Sequence, residues 1–394
     1  MPWSQTSPMH QRTLFVADHL RGTRTVTELC AEYGISRKTG YKWIERYIER
    51  GAAGLEERSR RPHRSPNATP EPIVNALVLL RHRRPTWGAK KLIAYLARRH
   101  PEWELPARSA VCELLKRRGL VRRKRARRVI GHPGKPSGVV VAPNEIWCAD
   151  FKGQFRMGNG RYCYPLTVTD QYSRYLLRCQ GLPSTSVDGA KPVFQRLFEE
   201  HGLPRYIRTD NGVPFATNTL ARLSRLSAWW VRLGVLPQLI EPGKPQQNGR
   251  HERMHKTLKD ETTRPPASAM RSQQEKFDRF RKIFNEERPH EALEQCTPAS
   301  VYRSSPRAMP SKLPPLEYPD RYEVRYVSAN GGIRWNNQWV NVSTTCVGEY
   351  VGLEEIDDGV WNLYYGALKL GRFYERKMKI EGKRLAETVL TIRS

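Results

Sequence analysis

Apolar positions change period twice along the chain, from helical spacing at the start, through strands alternating with helices, to short strands at the end. Over residues 9–50 Thr25 or Thr27 can cap a short helix carrying Val26, Leu29 and Cys30, and Gly34 supplies a left-handed turn with Ile35 packed beneath. Ser36 then caps RKTGYKWIERY. Helix, glycine turn and basic second helix make a helix-turn-helix pattern, with Arg37, Lys38, Thr39 and Lys42 facing outward and Tyr41 and Trp43 serving core or contact. The Pro- and Arg-rich run from Glu57 to Pro72 cannot continue a helix. Helical stripes resume over 73–120, where Leu92, Tyr95 and Leu96, then Val111, Leu114 and Leu115, predict a second helical unit of the same kind.

From residue 144 the pattern predicts strands in EIWCADFKGQFRM and RYCYPLTVTD, joined by a Gly158-Asn159-Gly160 turn, and a third in SRYLLRCQGL. VDGAKPVFQRLFEEHG reads as a helix ending at Gly202, YIRTD as a short strand, TLARLSRLSAWWVRLG as a helix ending at Gly234, and VLPQLIEP as extended. The run from Asn248 to about Thr263 is helical, and one more charged helix covers 270–290. Three meandering strands followed by alternating helices and strands describe a mixed sheet with helices on both faces, the order of an RNase H-like α/β core. Five prolines between 306 and 319 mark a linker, and glycine-punctuated short strands over 320–380 predict a small all-β barrel of SH3 type. The expected organisation is therefore multidomain: a helix-turn-helix domain over 1–56, a linker over 57–72, a second helical unit with a basic tail over 73–128, a linker over 129–143, the α/β core over 144–305, a Pro-rich linker over 306–319 and the barrel over 320–394.

Charge narrows the partners. The 394 residues carry 68 Lys plus Arg against 39 Asp plus Glu, a formal charge of +29, which points to a polyanion. The segment KRRGLVRRKRARR, with Arg122, Arg123, Lys124 and Arg125, is expected to track a phosphate backbone. No run is long and apolar enough for a membrane span, no secretory signal opens the chain, and seven scattered cysteines without a CxxC pair read as reduced thiols. The expected location is cytoplasmic, nucleoid-associated in a bacterium.

Within so basic a chain three carboxylates stand out: Asp150 closing EIWCAD on the first strand, Asp210 ending YIRTD before an Asn-Gly turn, and Glu252 one turn into the helix that Asn248 can cap, with Glu252 expected on that helix's inner face. Carboxylates brought together need cations, and two Mg²⁺ about 4 Å apart, with Mn²⁺ as a substitute, would suit phosphoryl transfer on DNA. Asp170 is a rival better explained by a turn with Ser173. HERMH (251–255) also matches the HExxH pattern of zinc proteases, although its polar helix lacks a third ligand at a familiar spacing. His255 and Lys259 are expected at DNA phosphate or the active-site edge, and Lys244 at DNA.

WCADFKG, TVTDQYSRY, RTDNGVPF and PGKPQQNGRHERMHKTLK resemble the catalytic core of DDE transposases from bacterial insertion sequences, relatives of retroviral integrases. The resemblance extends to the helix-turn-helix start and to RWNNQWVNV, GEYVGLEE and WNLYYG near the end, and departs from retroviral integrases in lacking an HHCC zinc module before the core. It implies Asp150, Asp210 and Glu252 as the metal-binding triad, with Asn248 and Gly249 shaping the loop before the glutamate. It also implies binding to double-stranded DNA at element ends, cleavage there and 3′-OH attack on target DNA by a homo-oligomeric synaptic complex. Two alternatives are a non-catalytic DNA-binding regulator derived from such an enzyme, which leaves the carboxylates coincidental, and the HExxH zinc protease.

Overall fold

Capping chemistry sets the boundaries of the first three helices, α1 (Pro8–Leu20), α2 (Val26–Glu32) and α3 (Arg37–Arg50), in a computed structural model that describes residues 7–58, 68–121, 140–240 and 249–382. Thr25, rather than Thr27, caps α2 in a reciprocal box: its Oγ1 accepts from Glu28 N–H at 3.3 Å and its own N–H donates to Glu28 Oε2 at 2.8 Å. Gly34 turns the chain at φ +61°, and Ser36 Oγ accepts from Thr39 N–H at 3.2 Å to start α3. Gly40 lets α3 cross close, since a β-carbon there would lie 2.4 Å from Cys30 Sγ and 3.0 Å from Phe15. Phe15, Leu29, Trp43 and Leu55 fill this core. The Arg12 guanidinium lies 4.0 Å over the Trp43 ring.

The chain divides into two compact units, residues 1–68 and 69–394. In the second, α4 (Glu71–Arg83), α5 (Ala89–Arg99) and α6 (Arg108–Arg117) close around Leu77, Trp87, Leu92 and Val111. A mixed sheet follows. Strand β1 (Ile146–Phe151) pairs antiparallel with β3 (Tyr162–Asp170), which pairs antiparallel with β4 (Leu176–Leu182) and, at its start, with the short β2 (Phe155–Arg156). On its other side β1 pairs parallel with β5 (Tyr206–Thr209), and β5 with β6 (Leu236–Leu239). The main order β4-β3-β1-β5-β6 is that of an RNase H-like sheet.

Alternation sorts the two faces. Trp147 and Ala149 of β1, Leu166 and Val168 of β3 and Ile207 of β5 bury against α7 (Val187–His201) and α8 (Arg225–Arg232). The opposite face is covered by α9 (Gly249–Thr262) and α10 (Met270–Lys282), through Met254, Leu258, Phe277 and Phe280. The single long helix expected over 219–234 is interrupted, because Ala221 and Arg222 take left-handed φ of 51° and 55° and Ser224 caps afresh with Ser227.

The α4–α6 bundle docks on this core. Arg84 pairs with Glu287 at 2.8 Å, Thr86 Oγ1 donates to Glu261 Oε1 at 2.6 Å, and Arg98 donates to the Glu287 carbonyl at 2.7 Å. Glu261 belongs to α9, so the bundle braces the helix that carries Glu252. The last segment forms a five-stranded antiparallel sheet, in the order 379–382, 368–374, 360–365, 350–357, 323–326, and a hairpin of 332–335 with 338–341. They share a core with Leu223, Ala228 and Val231 and are consistent with the expected barrel.

Candidate active site

Strand alternation places a row of polar residues on the face beneath α9: Cys148 and Asp150 on β1, Thr167 and Thr169 on β3, and Arg208 on β5 with Asp210 just beyond it. Asp150 stands opposite Thr167 in the β1–β3 register. Its side chain is 19% exposed. Burial first, then the charge of Asp210 and to a smaller extent that of Glu252, lifts the Asp150 carboxyl from 3.8 to about 7, against a counter-pull from Lys152. The charges of Asp210, just past β5, and of Glu252 on α9 are thus both felt at Asp150. Asp210 is held by its own turn: Gly212 N–H donates to Oδ1 at 3.1 Å, and Asn211 Nδ2 donates to the Ile240 carbonyl at 3.0 Å.

The inner face of α9 differs from expectation. A 3.6-residue period buries His251, Met254, His255 and Leu258, and leaves Glu252 exposed rather than on the buried inner face. His255 is 4% exposed and meets the sheet rather than an open phosphate surface. Thr167 Oγ1 donates to the Asp150 backbone carbonyl at 3.1 Å and accepts from His251 Nε2 at 2.7 Å and His255 Nε2 at 2.6 Å. Thr169 Oγ1 lies 2.8 Å from His251 Nδ1 and is the donor there in this assignment. Burial pushes His251 down to about 3, and burial with the neighbouring His251 pushes His255 well below the ordinary imidazole range, so both rings are neutral. His255 Nδ1 is left with its lone pair 3.7 Å from Asp150 Oδ2. Two lone pairs directed at one another are relieved by a proton or a cation, and the donor atoms of Asp150, His251 and His255 all lie within 4.8 Å of each other.

This geometry weighs against the zinc-protease reading of HERMH. Both nitrogens of His251 are already bonded to threonine hydroxyls, and Glu252 is exposed while the two histidines are buried. The carboxylates fit a hard, oxygen-seeking divalent cation. Asp170 is the turn former expected: it is fully buried, and Oδ2 accepts from Ser173 N–H at 2.7 Å and Ser173 Oγ at 2.6 Å.

On α3, Arg37, Lys38 and Lys42 are exposed, whereas Thr39 is half-buried with its hydroxyl 2.9 Å from that of Ser36. Trp43 belongs to the core and Tyr41 is exposed. Lys259 is exposed on α9, one heptad after Glu252, and Lys256 shares that stripe, which the i, i+4 spacing would have revealed. Arg122, Arg123, Lys124, Arg125, Lys244 and Asn248 lie outside the described residues. Of the cysteines, Cys112 and Cys296 are exposed and the other five buried, all of them free thiols.

The integrase core domain family matches residues 140–245 and 233–298, a homeodomain-like domain matches 39–115, and a helix-turn-helix domain matches 11–63. A 31.7 kDa protein of insertion element IS407 from Burkholderia multivorans is 29% identical over 245 residues, which cover 59% of this chain and 82% of that one. A 39.2 kDa protein of IS476 from Xanthomonas euvesicatoria is 28% identical over 183 residues, 45% of this chain and 49% of its own. The Gag-Pol polyprotein of baboon endogenous virus is 29% identical over 122 residues, 31% of this chain and 7% of its own. Among solved structures, the magnesium complex of the HTLV-2 integrase catalytic core aligns with a TM-score of 0.34 at 14% identity, covering 41% of this chain and 99% of that chain. The chain thus carries an integrase core domain over 140–298 with helix-turn-helix domains ahead of it, and it is similar to proteins of bacterial insertion elements.

Proposed function

We propose that this protein cuts DNA at the ends of its mobile element and joins the freed 3′ ends to target DNA, with Asp150, Asp210 and Glu252 holding two Mg²⁺ ions or Mn²⁺ in their place. What supports this reading is Asp150, on the polar face of the sheet, whose carboxyl is lifted to about 7 by burial first and then by the charges of Asp210 and, least, Glu252. Bound divalent metal supplies Lewis acidity to the attacking and leaving oxygens. The chain's own groups do the rest. Asp150 is fixed near the end of strand β1 and Asp210 by its turn, while Glu252 arrives on a helix keyed to the sheet by His251 and His255. Preset geometry of this kind lowers the cost of orienting two DNA ends.

In this reading the exposed Arg37, Lys38 and Lys42 of α3 read the element end together with Thr39. Arg122, Arg123, Lys124, Arg125, Lys244 and Lys259 hold the backbone. The active species is a homo-oligomer bridging two ends, working in the bacterial cytoplasm at the nucleoid. The test incubates purified protein with end-labelled DNA from the flanks of its gene in Mg²⁺. Wild type should nick a defined end and join it to target, and Glu252→Gln should bind the same DNA without cutting it. Comparable Mg²⁺-dependent cleavage by Glu252→Gln would remove that residue from the site, and specific binding without cleavage by wild type would favour a regulator.

A further inference from the structure

Of the two imidazoles that α9 buries, one keeps a nitrogen to spare. Thr167 has a single hydroxyl proton, which goes to the Asp150 carbonyl at 3.1 Å, so its Oγ1 can only accept from the rings. It accepts from His251 Nε2 at 2.7 Å and from His255 Nε2 at 2.6 Å. His251 then uses its Nδ1 on Thr169 Oγ1 at 2.8 Å and is fully engaged. In His255 the same logic puts the proton on Nε2 and leaves Nδ1 bare. Among the described residues no donor is bonded to this Nδ1, which faces Asp150 Oδ2 at 3.7 Å.

That distance is too long for a hydrogen bond and sets two electron-rich atoms against one another. Ligand atoms each about 2.1 Å from a shared divalent ion lie about 3.0 Å apart at an octahedral angle and about 3.4 Å at a tetrahedral one. A gap of 3.7 Å therefore closes onto an ion with a shift of a few tenths of an ångström. The Asp150 side chain is 19% exposed against 5% for His255, so the gap is approached from the carboxylate side. An imidazole that binds metal ordinarily donates its other N–H to a fixed acceptor, which sets the ring's orientation and raises its basicity. Thr167 is that acceptor, and it is held in turn by the backbone of Asp150. Ring and carboxylate are thus aligned through one hydroxyl.

We propose that His255, through Nδ1, is a nitrogen ligand to the divalent ion held by Asp150. That this ion is the one serving DNA cleavage rests on the strand-transfer reading above. The consequence is selectivity: an imidazole nitrogen is a softer donor than a carboxylate, so it favours Mn²⁺ over Mg²⁺. The two histidines of HERMH then divide the work, His255 binding the ion and His251 holding the helix to the sheet, in a geometry unlike that of a zinc protease.

The test loads full-length protein with one equivalent of Mn²⁺, without DNA, and records electron spin echo modulation. Wild type should show coupling to a directly bound nitrogen, and the pattern should change to that of ¹⁵N when the histidines carry the label. His255→Gln keeps a donor within reach of Thr167 but has no lone pair at the Nδ1 position. It should lose the nitrogen coupling, bind Mn²⁺ about tenfold more weakly and lose less for Mg²⁺. His251→Gln should keep the coupling. Wild-type protein that binds Mn²⁺ with no nitrogen coupling would overturn the assignment without any variant having to fold. Coupling retained in His255→Gln, or equal losses for the two ions, would overturn it as well. Mg²⁺-dependent DNA cleavage with no nitrogen coupling removes the ligand and leaves strand transfer standing. Nitrogen coupling that depends on His255, in protein that does not cut end DNA, keeps the ligand and removes strand transfer.

Discussion

Replacing Asp150 by asparagine should stabilise the metal-free protein above pH 7 and abolish its response to magnesium. The carboxyl of Asp150 is raised from 3.8 to about 7 by burial and by Asp210. The unfolded chain therefore loses this proton near pH 4, while the folded chain keeps it until about 7. Across that window the folded state binds more protons, so wild-type stability falls as pH rises from about 4 to 7 and is flat above. At about 1.4 kcal/mol per pKa unit the full loss is about 4 kcal/mol. Asparagine has no such titration, and its amide can donate to His255 Nδ1, which lies 3.7 Å from Asp150 Oδ2 in the wild type. Urea unfolding in EDTA, followed by the near-ultraviolet signal of the buried Trp147, Trp229 and Trp230, reports this core. The variant should be more stable than wild type by about 4 kcal/mol at pH 8, with the advantage shrinking to roughly a third at pH 5. Magnesium should restore the wild type, by mass action on the folded state, and leave the variant unchanged. An asparagine variant no more stable than wild type at pH 8, or one whose advantage is the same at both pH values, would refute the account of the site as frustrated carboxylates awaiting a cation.

Thr167→Val removes the shared acceptor of two buried imidazole N–H groups, so stability should fall by about 2–4 kcal/mol. Mg²⁺-dependent cleavage should fall more than DNA affinity, and Thr167→Ser should recover both. A valine variant with wild-type turnover would show that the histidine–threonine bonds do not position Glu252. Gly40→Ala brings a β-carbon to within 2.4 Å of Cys30 Sγ, and about 1–3 kcal/mol of overpacking should loosen the first helical unit and weaken binding to end DNA. Adding Cys30→Ala should restore that binding; failure to do so would place the defect elsewhere. For Glu252→Gln the expected outcome is retained end binding with no nicking in gel assays.

Element type was legible because it is local. The runs that hold Asp150, Asp210 and Glu252 announce a strand, an Asn-Gly turn and a polar helix. The break before α8 was not legible, because TLARLSRLSAWWVRLG has helical periodicity throughout. The left-handed pair Ala221 and Arg222 belongs to a turn in which Thr217 N–H donates to the Arg222 carbonyl and Thr217 Oγ1 to the Leu223 carbonyl. The face of α9 was misjudged for a related reason. The run is so polar that its apolar stripe rests on Met254 and Leu258, with histidines completing it, and nothing local says that imidazoles will be buried.

What hid the rest of the site is pairing. Thr167 and Thr169 read as ordinary strand threonines until the register puts Thr167 opposite Asp150 and Thr169 opposite Cys148. Arg208, between Ile207 and Thr209, reads as an exposed strand cation, yet it is buried in the fold. The residues missed are therefore those whose role depends on two elements meeting, and they share a physical feature: each is polar, buried and bonded across elements. Such groups are costly to bury for fold stability alone when apolar replacements of similar size would pack as well. Here they occur in one row beneath one helix, next to the carboxylates, where they fix the helix that carries Glu252. A row of this kind is what a site needs if metal completes it, since the ion arrives from outside and neutralises what the folded chain leaves unpaired.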